Sequence, residues 1–259
     1  MIELNISGGV AEIVLNAPHK MNSLDESALA ELEAAYDKAA EGVETGEVRA
    51  LLLRGEGRGF CAGRDISGVN PANDDVIGYL GGKVQPLLAK MASFPAPTFA
   101  AVQGACLGVG LGLAIASDVV YVAENAKIGS PFANLGATLD SGGHWLFTER
   151  LGSHRTLDLI YTAELMSGAE AVRSGLFSRS MPAEKLLEDT RAIVAKVATG
   201  ATEAFRASKE LVAEIRDARL GLWDSMANEN QAQADLCATE DYAEGFLAFQ
   251  EKRKPVFKG

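Results

Sequence analysis

Phe60-Cys61-Ala62-Gly63-Arg64-Asp65 and, further along, Gly104-Ala105-Cys106-Leu107-Gly108-Val109-Gly110 are the two stretches whose reading decides the fold. Each follows an aliphatic run that reads as a buried strand, residues 50–53 and 99–102. Each is built from small residues that let backbone approach a ligand closely. Two loops of this kind can aim two backbone N–H groups at one oxygen, an arrangement suited to a carbonyl that gains negative charge during reaction.

Working outward, residues 2–7 and 10–15 alternate apolar with polar around Gly8-Gly9 and read as a hairpin. Residues 24–41 carry apolar side chains at helical spacing, with Ser23 and Glu26 as a candidate capping box. Strand, Gly-rich loop, helix and strand then alternate to about residue 130, which argues for an α/β core of parallel strands with helical crossovers. Residues 67–73, rich in Gly, Asn and Pro, read as a mobile connection. Beyond Leu146 the strand signal mostly fades, and helical windows follow at 156–163, 183–198, 202–216, 221–234 and 241–250. Two parts are expected: a core over 1–195 and a helical region over 196–259. Trp223 reads as core of that region or as an interface anchor, and spacing alone favours core.

Composition narrows the class. The chain has 259 residues, 47% of them hydrophobic, enough for a sizeable core. It holds no apolar run long enough to span a bilayer, and its first residues lack the basic-then-apolar pattern of a signal peptide. The three cysteines, Cys61, Cys106 and Cys237, lack metal-ligand and CxxC spacing, which fits a reduced cytoplasm. Cys61 reads as a small packed thiol rather than a nucleophile. A net charge of −11 argues against nucleic acid as a partner. The three histidines show no metal spacing, and no metal, nicotinamide or flavin signature appears.

The two loops, with Ile13-Val14-Leu15-Asn16-Ala17-Pro18-His19-Lys20-Met21-Asn22-Ser23-Leu24 before them and Ser117-Asp118-Val119-Val120-Tyr121, Ala126-Lys127-Ile128-Gly129 and Glu251-Lys252-Arg253-Lys254-Pro255-Val256-Phe257 after them, resemble the crotonase superfamily, the enoyl-CoA hydratase/isomerase family. The resemblance covers nearly the whole chain. It implies a ClpP/crotonase-like spiral of ββα units with a helical C-terminal trimerisation region, a homotrimer or dimer of trimers, and an acyl-CoA thioester as substrate. CoA would enter as part of that substrate, with no retained cofactor. By motif position the oxyanion donors would be the backbone N–H groups of Arg64 and Val109. Lys20, Met21, Ala62, Gly63, Asp65, Ile66, Gly108, Phe132, Leu135 and Gly136 would line the substrate. The basic tail, a frayed terminus on charge alone, would contact CoA through Lys252, Lys254 and Phe257.

Acids and bases around the acyl carbons separate the reactions of such enzymes. At the positions where hydratases of the family carry two glutamates, this chain has Gly112 and Phe132. Neither can move a proton, so the two-glutamate hydration mechanism lacks its residues. Asp140 stands where some isomerases of the family hold a catalytic aspartate. Phe132, Asp140, Gly142-Gly143 and Trp145 reproduce the pattern of the ring-epoxide isomerase branch that acts on epoxyphenylacetyl-CoA. Read locally, Asp140 is a helix cap before Ser141-Gly142-Gly143. Read through the resemblance, it is the base of a single-carboxylate proton shuttle. His144 could line or orient the pocket.

The expectation is an acyl-CoA isomerase with Asp140 as its base. Three alternatives remain: a hydratase with a non-standard acid set, an aryl-CoA dehalogenase-like enzyme with Asp140 as nucleophile, and a non-catalytic CoA binder. The dehalogenase reading would need a Trp where Phe132 stands and a His within residues 79–94, where there is none. The acidity of the chain, and the absence of a long basic helix, oppose an RNA-binding role.

Overall fold

Gly8 and Gly9 turn the chain back on itself with φ of 58° and 79°, a region glycine enters without steric cost. In the computed structural model, which describes residues 1–259 apart from the side chain of Pro71, this turn joins β1 (Ile2–Ser7) to β2 (Val10–Leu15) as an antiparallel hairpin. After α1 (Glu26–Glu44), β3 (Ala50–Gly55) pairs with β2 in parallel. α2 (Val76–Tyr79) runs through a π turn into α3 (Gln85–Ala92), and β4 (Thr98–Val102) then adds beside β3. β5 (Ala105–Leu107), α4 (Val109–Ile115), β6 (Val119–Ala123) and β7 (Lys127–Gly129) follow. α5 (Gly143–Thr162), β8 (Met166–Ser167), α6 (Gly168–Arg173) and β9 (Arg179–Met181) complete two sheets, ordered β1-β2-β3-β4-β6-β9 and β5-β7-β8. The chain ends in α7 (Ala183–Val197), α8 (Thr202–Ala218), α9 (Leu222–Leu236) and α10 (Glu240–Gln250).

β4 is buried along its whole length, and β3 along all but Arg54. That is why both read as continuous apolar runs: a parallel sheet covered on both faces has no polar side to alternate with. α1 covers one face through Ala28, Leu29, Leu32, Ala35, Tyr36 and Ala39, all buried and at helical spacing. Asp118, placed by sequence at the start of a strand, joins strand ends. Its carboxylate accepts from the Thr98 N–H at 2.8 Å and pairs with Lys209 of α8 at 3.0 Å.

The structure departs from the sequence reading at four places. The cap of α1 is Asp25, whose side chain accepts from the Ala28 N–H at 2.8 Å, not Ser23. Leu24 cannot turn helical because it is held in a bridge, its N–H donating to Gly63 O and its carbonyl accepting from the Asp65 N–H. β8 and β9 lie beyond the point where the strand signal fades; they are 2 and 3 residues long, too short to show periodicity, and pair with edges already formed. α5 begins at Gly143, well before residue 156, and is interrupted at Gly152, whose φ is 76°. Trp223 is 77% exposed, beside the exposed Leu222 and Met226, rather than in a core. α9 buries only Ser225 within the chain, so its apolar residues have no internal surface to cover.

Candidate active site

The first loop leaves β3 at Gly55, where a Cβ would stand 2.4 Å from the Phe60 carbonyl oxygen. Between Gly55 and Phe60 two buried or half-buried carboxamides satisfy its carbonyls. Asn22, fully buried, donates from Nδ2 to the carbonyls of Gly59 at 2.8 Å, Glu56 at 3.0 Å and Phe60 at 3.1 Å, while its Oδ1 accepts from the Ala17 N–H at 2.8 Å. Gln103 donates from Nε2 to the carbonyls of Gly55 at 2.8 Å and Gly57 at 3.1 Å. Buried polar groups must be paired, and these two amides are the partners. Sequence reasoning quoted Asn22 within a motif without giving it a task and passed over Gln103. For Gln103 the available signal was an amide directly before the Gly-rich stretch that starts at Gly104.

The two loops are then stitched together by backbone. Cys61 N–H donates to Ala105 O at 2.9 Å, and Leu107 N–H donates to Cys61 O at 3.0 Å. On its other side the first loop pairs with Leu24 through Gly63 O and the Asp65 N–H. That alternation leaves the Arg64 N–H between two used groups, with no acceptor among the described residues. Val109 is the first residue of α4, so its N–H has no partner within the helix. A Cβ on Gly63 would stand 2.8 Å from Leu107 O and 3.6 Å from Val109 N. With φ of 97° at Gly63 and 52° at Gly108, glycine alone allows this approach. Two unpaired N–H groups are thereby brought side by side, one of them at a helix N-terminus with its partial positive charge. Such a pair can hold one oxygen that gains charge.

Around these donors the side chains divide into those that brace and those that face the pocket. Arg64 folds its guanidinium over the Tyr79 ring, 4.0 Å from the centroid, and holds Asp74 with two hydrogen bonds of 2.7 and 2.8 Å. Lys20 is neutralised by Asp25 and Asp65, each at 3.0 Å. The Ser67 hydroxyl and N–H, with Lys20, hold the Asp65 carboxyl down at about 2. Ala62 N–H donates to Met21 O at 2.9 Å, so the Met21 turn carries the loop. Cys61 is fully buried, donates to Asn22 O at 3.2 Å, and burial pushes its thiol up to about 12, the state of a packed thiol rather than a nucleophile.

Asp140 does not cap α5. The N-cap is Gly142, and Asp140 joins the turn only through its carbonyl, which accepts from the Gly143 N–H at 2.9 Å. Its Oδ1 is buried without a partner among the described residues. Burial raises the Asp140 pKa, opposed by the Ser141 hydroxyl, Arg64 and His144. His144 itself is exposed and lies 3.3 Å from the Thr138 hydroxyl.

Asp140 shares its corner with the two positions that lack an acid. A Cβ on Gly112 would stand 2.6 Å from Ser141 Cβ and 3.2 Å from Leu88 Cδ1, so Ser141 occupies the space a longer side chain would need. The Phe132 ring lies over Gly108, with Cζ 2.8 Å from where a Cβ would be. Leu135 and Ile66 are 66% and 58% exposed, and Gly136 turns the chain with φ of 68°. The single chain does not bring Lys252, Lys254 or Phe257 to this corner. The tail docks on α10, where the backbone N–H groups of Lys258 and Gly259 donate to Asp241. Phe257 O accepts from Arg49, directly before β3, and β3 is about 20 Å long with the loops at its far end. A cavity of about 710 Å³ lies past the far end of α4, lined by Phe99, Trp145, Leu176 and Lys209, and does not include Asp140. Among the described residues no group of three His, Cys, Asp or Glu could hold a metal ion, and no helix is long and apolar enough to cross a membrane.

Residues 5–259 match the family model described as enoyl-CoA hydratase/isomerase. The chain belongs to that family. It is 36% identical to a "Probable enoyl-CoA hydratase" of Rhodobacter capsulatus, over 100% of this chain and 98% of the relative. It is 31% identical to the 1,2-epoxyphenylacetyl-CoA isomerase of Escherichia coli, over 98% and 97%. The crystal structure of an enoyl-CoA hydratase from Bacillus anthracis superposes with a TM-score of 0.89 at 30% identity, covering 100% of this chain and 99% of that one. The fold of this enoyl-CoA hydratase/isomerase family member is therefore the crotonase fold, as the sequence resemblance implied.

Proposed function

We propose that this chain is an acyl-CoA isomerase that moves a proton along the acyl group with Asp140 as its only base. The thioester oxygen accepts from the N–H groups of Arg64 and Val109, which makes a proton on the adjacent carbon removable because the enolate is stabilised; each such donor is worth roughly 100- to 1000-fold in rate. Asp140 takes the proton from the carbon next to the thioester and returns the same proton further along the conjugated system, so the double bond migrates and no water is consumed. Phe132 shields the corner, and the raised pKa of Asp140 fits a carboxylate that must hold and release a proton near neutral pH. One observation supports the reading: Asp140 is half-buried with Oδ1 unpaired beside Ser141, while Gly112 has no room for a second acid and Phe132 is a hydrocarbon.

A second reading, hydration with Asp140 alone activating water, is favoured by the name of the Rhodobacter relative. Incubating the protein with a 3-enoyl-CoA, crotonyl-CoA and 1,2-epoxyphenylacetyl-CoA separates the two by product mass. Isomerisation without mass change, lost in Asp140→Asn, supports the proposal. Rapid addition of water to crotonyl-CoA that persists in Asp140→Asn refutes it. The proposal includes a cytoplasmic homotrimer or dimer of trimers in which Lys252, Lys254 and Phe257 contact CoA, with CoA bound only as part of the substrate.

A further inference from the structure

Two buried side-chain oxygens without a hydrogen bond to any described residue belong to neighbours in sequence, Asp140 Oδ1 and Ser141 Oγ. Buried polar atoms are rarely left unpaired, and these two sit one residue apart at the turn before α5. Asp140 is half-buried as a whole, and its other oxygen, Oδ2, is not among the sealed atoms. The carboxylate thus has one oxygen turned into the protein and one left for the pocket.

The backbone adds an independent sign. Ser141 has a φ of 51°, in the left-handed region that is strained for a residue with a Cβ. The chain places glycine at 142 and 143 but keeps serine here, so strain is retained where glycine would carry none. The side chain is also seated. Its Cβ fills the notch left by Gly112, 2.6 Å from where a Cβ on that glycine would stand. Gly112 lies three residues along α4 from Val109, so the two share a helix face about 4.5 Å apart along the axis. The helix that presents one unpaired N–H group therefore also carries the seat of Ser141 and, next to it, Asp140.

We propose that Ser141 is a positioning residue for the proton transfer: its hydroxyl donates to Asp140 Oδ1, fixes the plane of the carboxylate and leaves Oδ2 to take the proton. This rests on the reading of Asp140 as the base. The Ser141 hydroxyl already opposes the effect of burial on this carboxyl, because a hydrogen bond to the ionised form favours that form. Without it, burial holds the proton more tightly and the base is lost at a higher pH. The other groups that act on Asp140 are Arg64 of the first loop and His144 of α5. α4 brings no ionisable side chain. Lys83 and Lys90 turn to carboxylates of α1, and burial keeps Tyr79 of α2 protonated.

The test is Ser141→Ala, which keeps the Cβ in its notch and removes only the hydroxyl. On an acyl-CoA that the wild type isomerises, kcat is expected to fall roughly 10- to 100-fold at neutral pH, the effect of one hydrogen bond to a charged group. KM should change little, and the acid limb of kcat/KM should move to higher pH. Activity lowered equally at all pH values, with the limb in place, would mean that Ser141 only holds the turn and overturns the proposal, as does a wild-type profile. Ser141→Gly removes the same hydroxyl without strain and should show the same shifted limb. A limb at the wild-type position in that variant would assign the shift to strain and overturn the proposal. An infrared titration of the Asp140 carboxyl band, assigned by its loss in Asp140→Asn, reads the pairing without turnover. Its midpoint should lie higher in Ser141→Ala than in the wild type, and an unchanged midpoint overturns the pairing. If Asp140→Asn retains activity, the reading of Asp140 as base fails, while the infrared midpoint still decides whether Ser141 holds the carboxylate.

Discussion

Replacing Gly110 by alanine tests whether the two loops act as one rigid holder for the thioester oxygen. The added Cβ would stand 2.4 Å from Cys61 O and 2.8 Å from Cys61 Cβ. Both obstacles lie at the backbone or next to it, so no flexible side chain can swing away. Relief needs a separation of roughly 1 Å between α4 and the first loop, because a misfit of this kind is met by backbone shifts. The same Cys61 carbonyl accepts from the Leu107 N–H at 3.0 Å, so the movement stretches a bond that joins the loops. Overpacking of this kind costs roughly 1–3 kcal/mol in stability. A 1 Å misplacement at a reacting centre costs about 100-fold in rate. Gly110→Ala is therefore expected to melt a few degrees lower, to remain folded by circular dichroism, and to lose about 100-fold in kcat with a smaller change in KM. Gly82→Ala is the control, since a Cβ there meets nothing within 4 Å. A folded Gly110→Ala enzyme with wild-type kcat would refute the role assigned to the unpaired N–H groups of Arg64 and Val109.

Asp140→Asn is expected to remove activity and raise the Tm at neutral pH. Burial raises the folded pKa of this carboxyl, so the folded state binds the proton more tightly than the unfolded state, and stability from this group falls as pH rises through the raised pKa. The stabilisation should vanish below the ordinary aspartate value of about 3.9, and melting curves across pH would show it. The same titration sets the acid limb of kcat/KM above that value, since the base is lost as pH falls. Asn22→Ala should destabilise by roughly 2–4 kcal/mol, because it orphans the Ala17 N–H and up to three carbonyls of the first loop; denaturant unfolding measures it, and a loss under 1 kcal/mol (about one ordinary hydrogen bond) would contradict the bracing role. Arg64→Met keeps the backbone donor but releases Asp74 and Tyr79. Amide exchange across residues 66–79 should quicken and KM should rise, whereas unchanged exchange would mean that the guanidinium braces nothing.

What the sequence made legible follows the physics of each element. The buried strands β3 and β4 announced themselves as aliphatic runs, and the glycines of the two loops marked where backbone meets backbone. The two loops, quoted together from the sequence, pair through Cys61 with Ala105 and Leu107, while the naming of Arg64 and Val109 as donors rested on the family resemblance. The cap of α1 was misplaced because the bridge from Leu24 to the first loop spans some forty residues, and local propensity contains no such term. The helix-cap reading of Asp140 failed for a related reason: in sequence it stands where a cap would, and only the αL turn at Ser141 and Gly142 removes its side chain from the helix end. Asn22 and Gln103 escaped notice because the carbonyls they satisfy are distant in sequence. The exposure of Trp223 reflects helices α8 and α9, whose apolar residues exceed the surface that this one chain offers them.

The contact between Gly112 and Ser141 also constrains how this enzyme could acquire a different reaction. A glutamate introduced at 112 would drive its Cβ to 2.6 Å from Ser141 Cβ and 2.9 Å from Ser141 O. Alone, that substitution should damage the turn that carries Asp140 before any new chemistry is gained. Ser141→Gly removes only the Cβ clash, so the order of changes matters: the turn must be loosened first and the acid added afterwards. Mutational paths from a one-acid to a two-acid site are thereby funnelled through position 141. Sign epistasis between 112 and 141 is the trace such a history would leave among relatives.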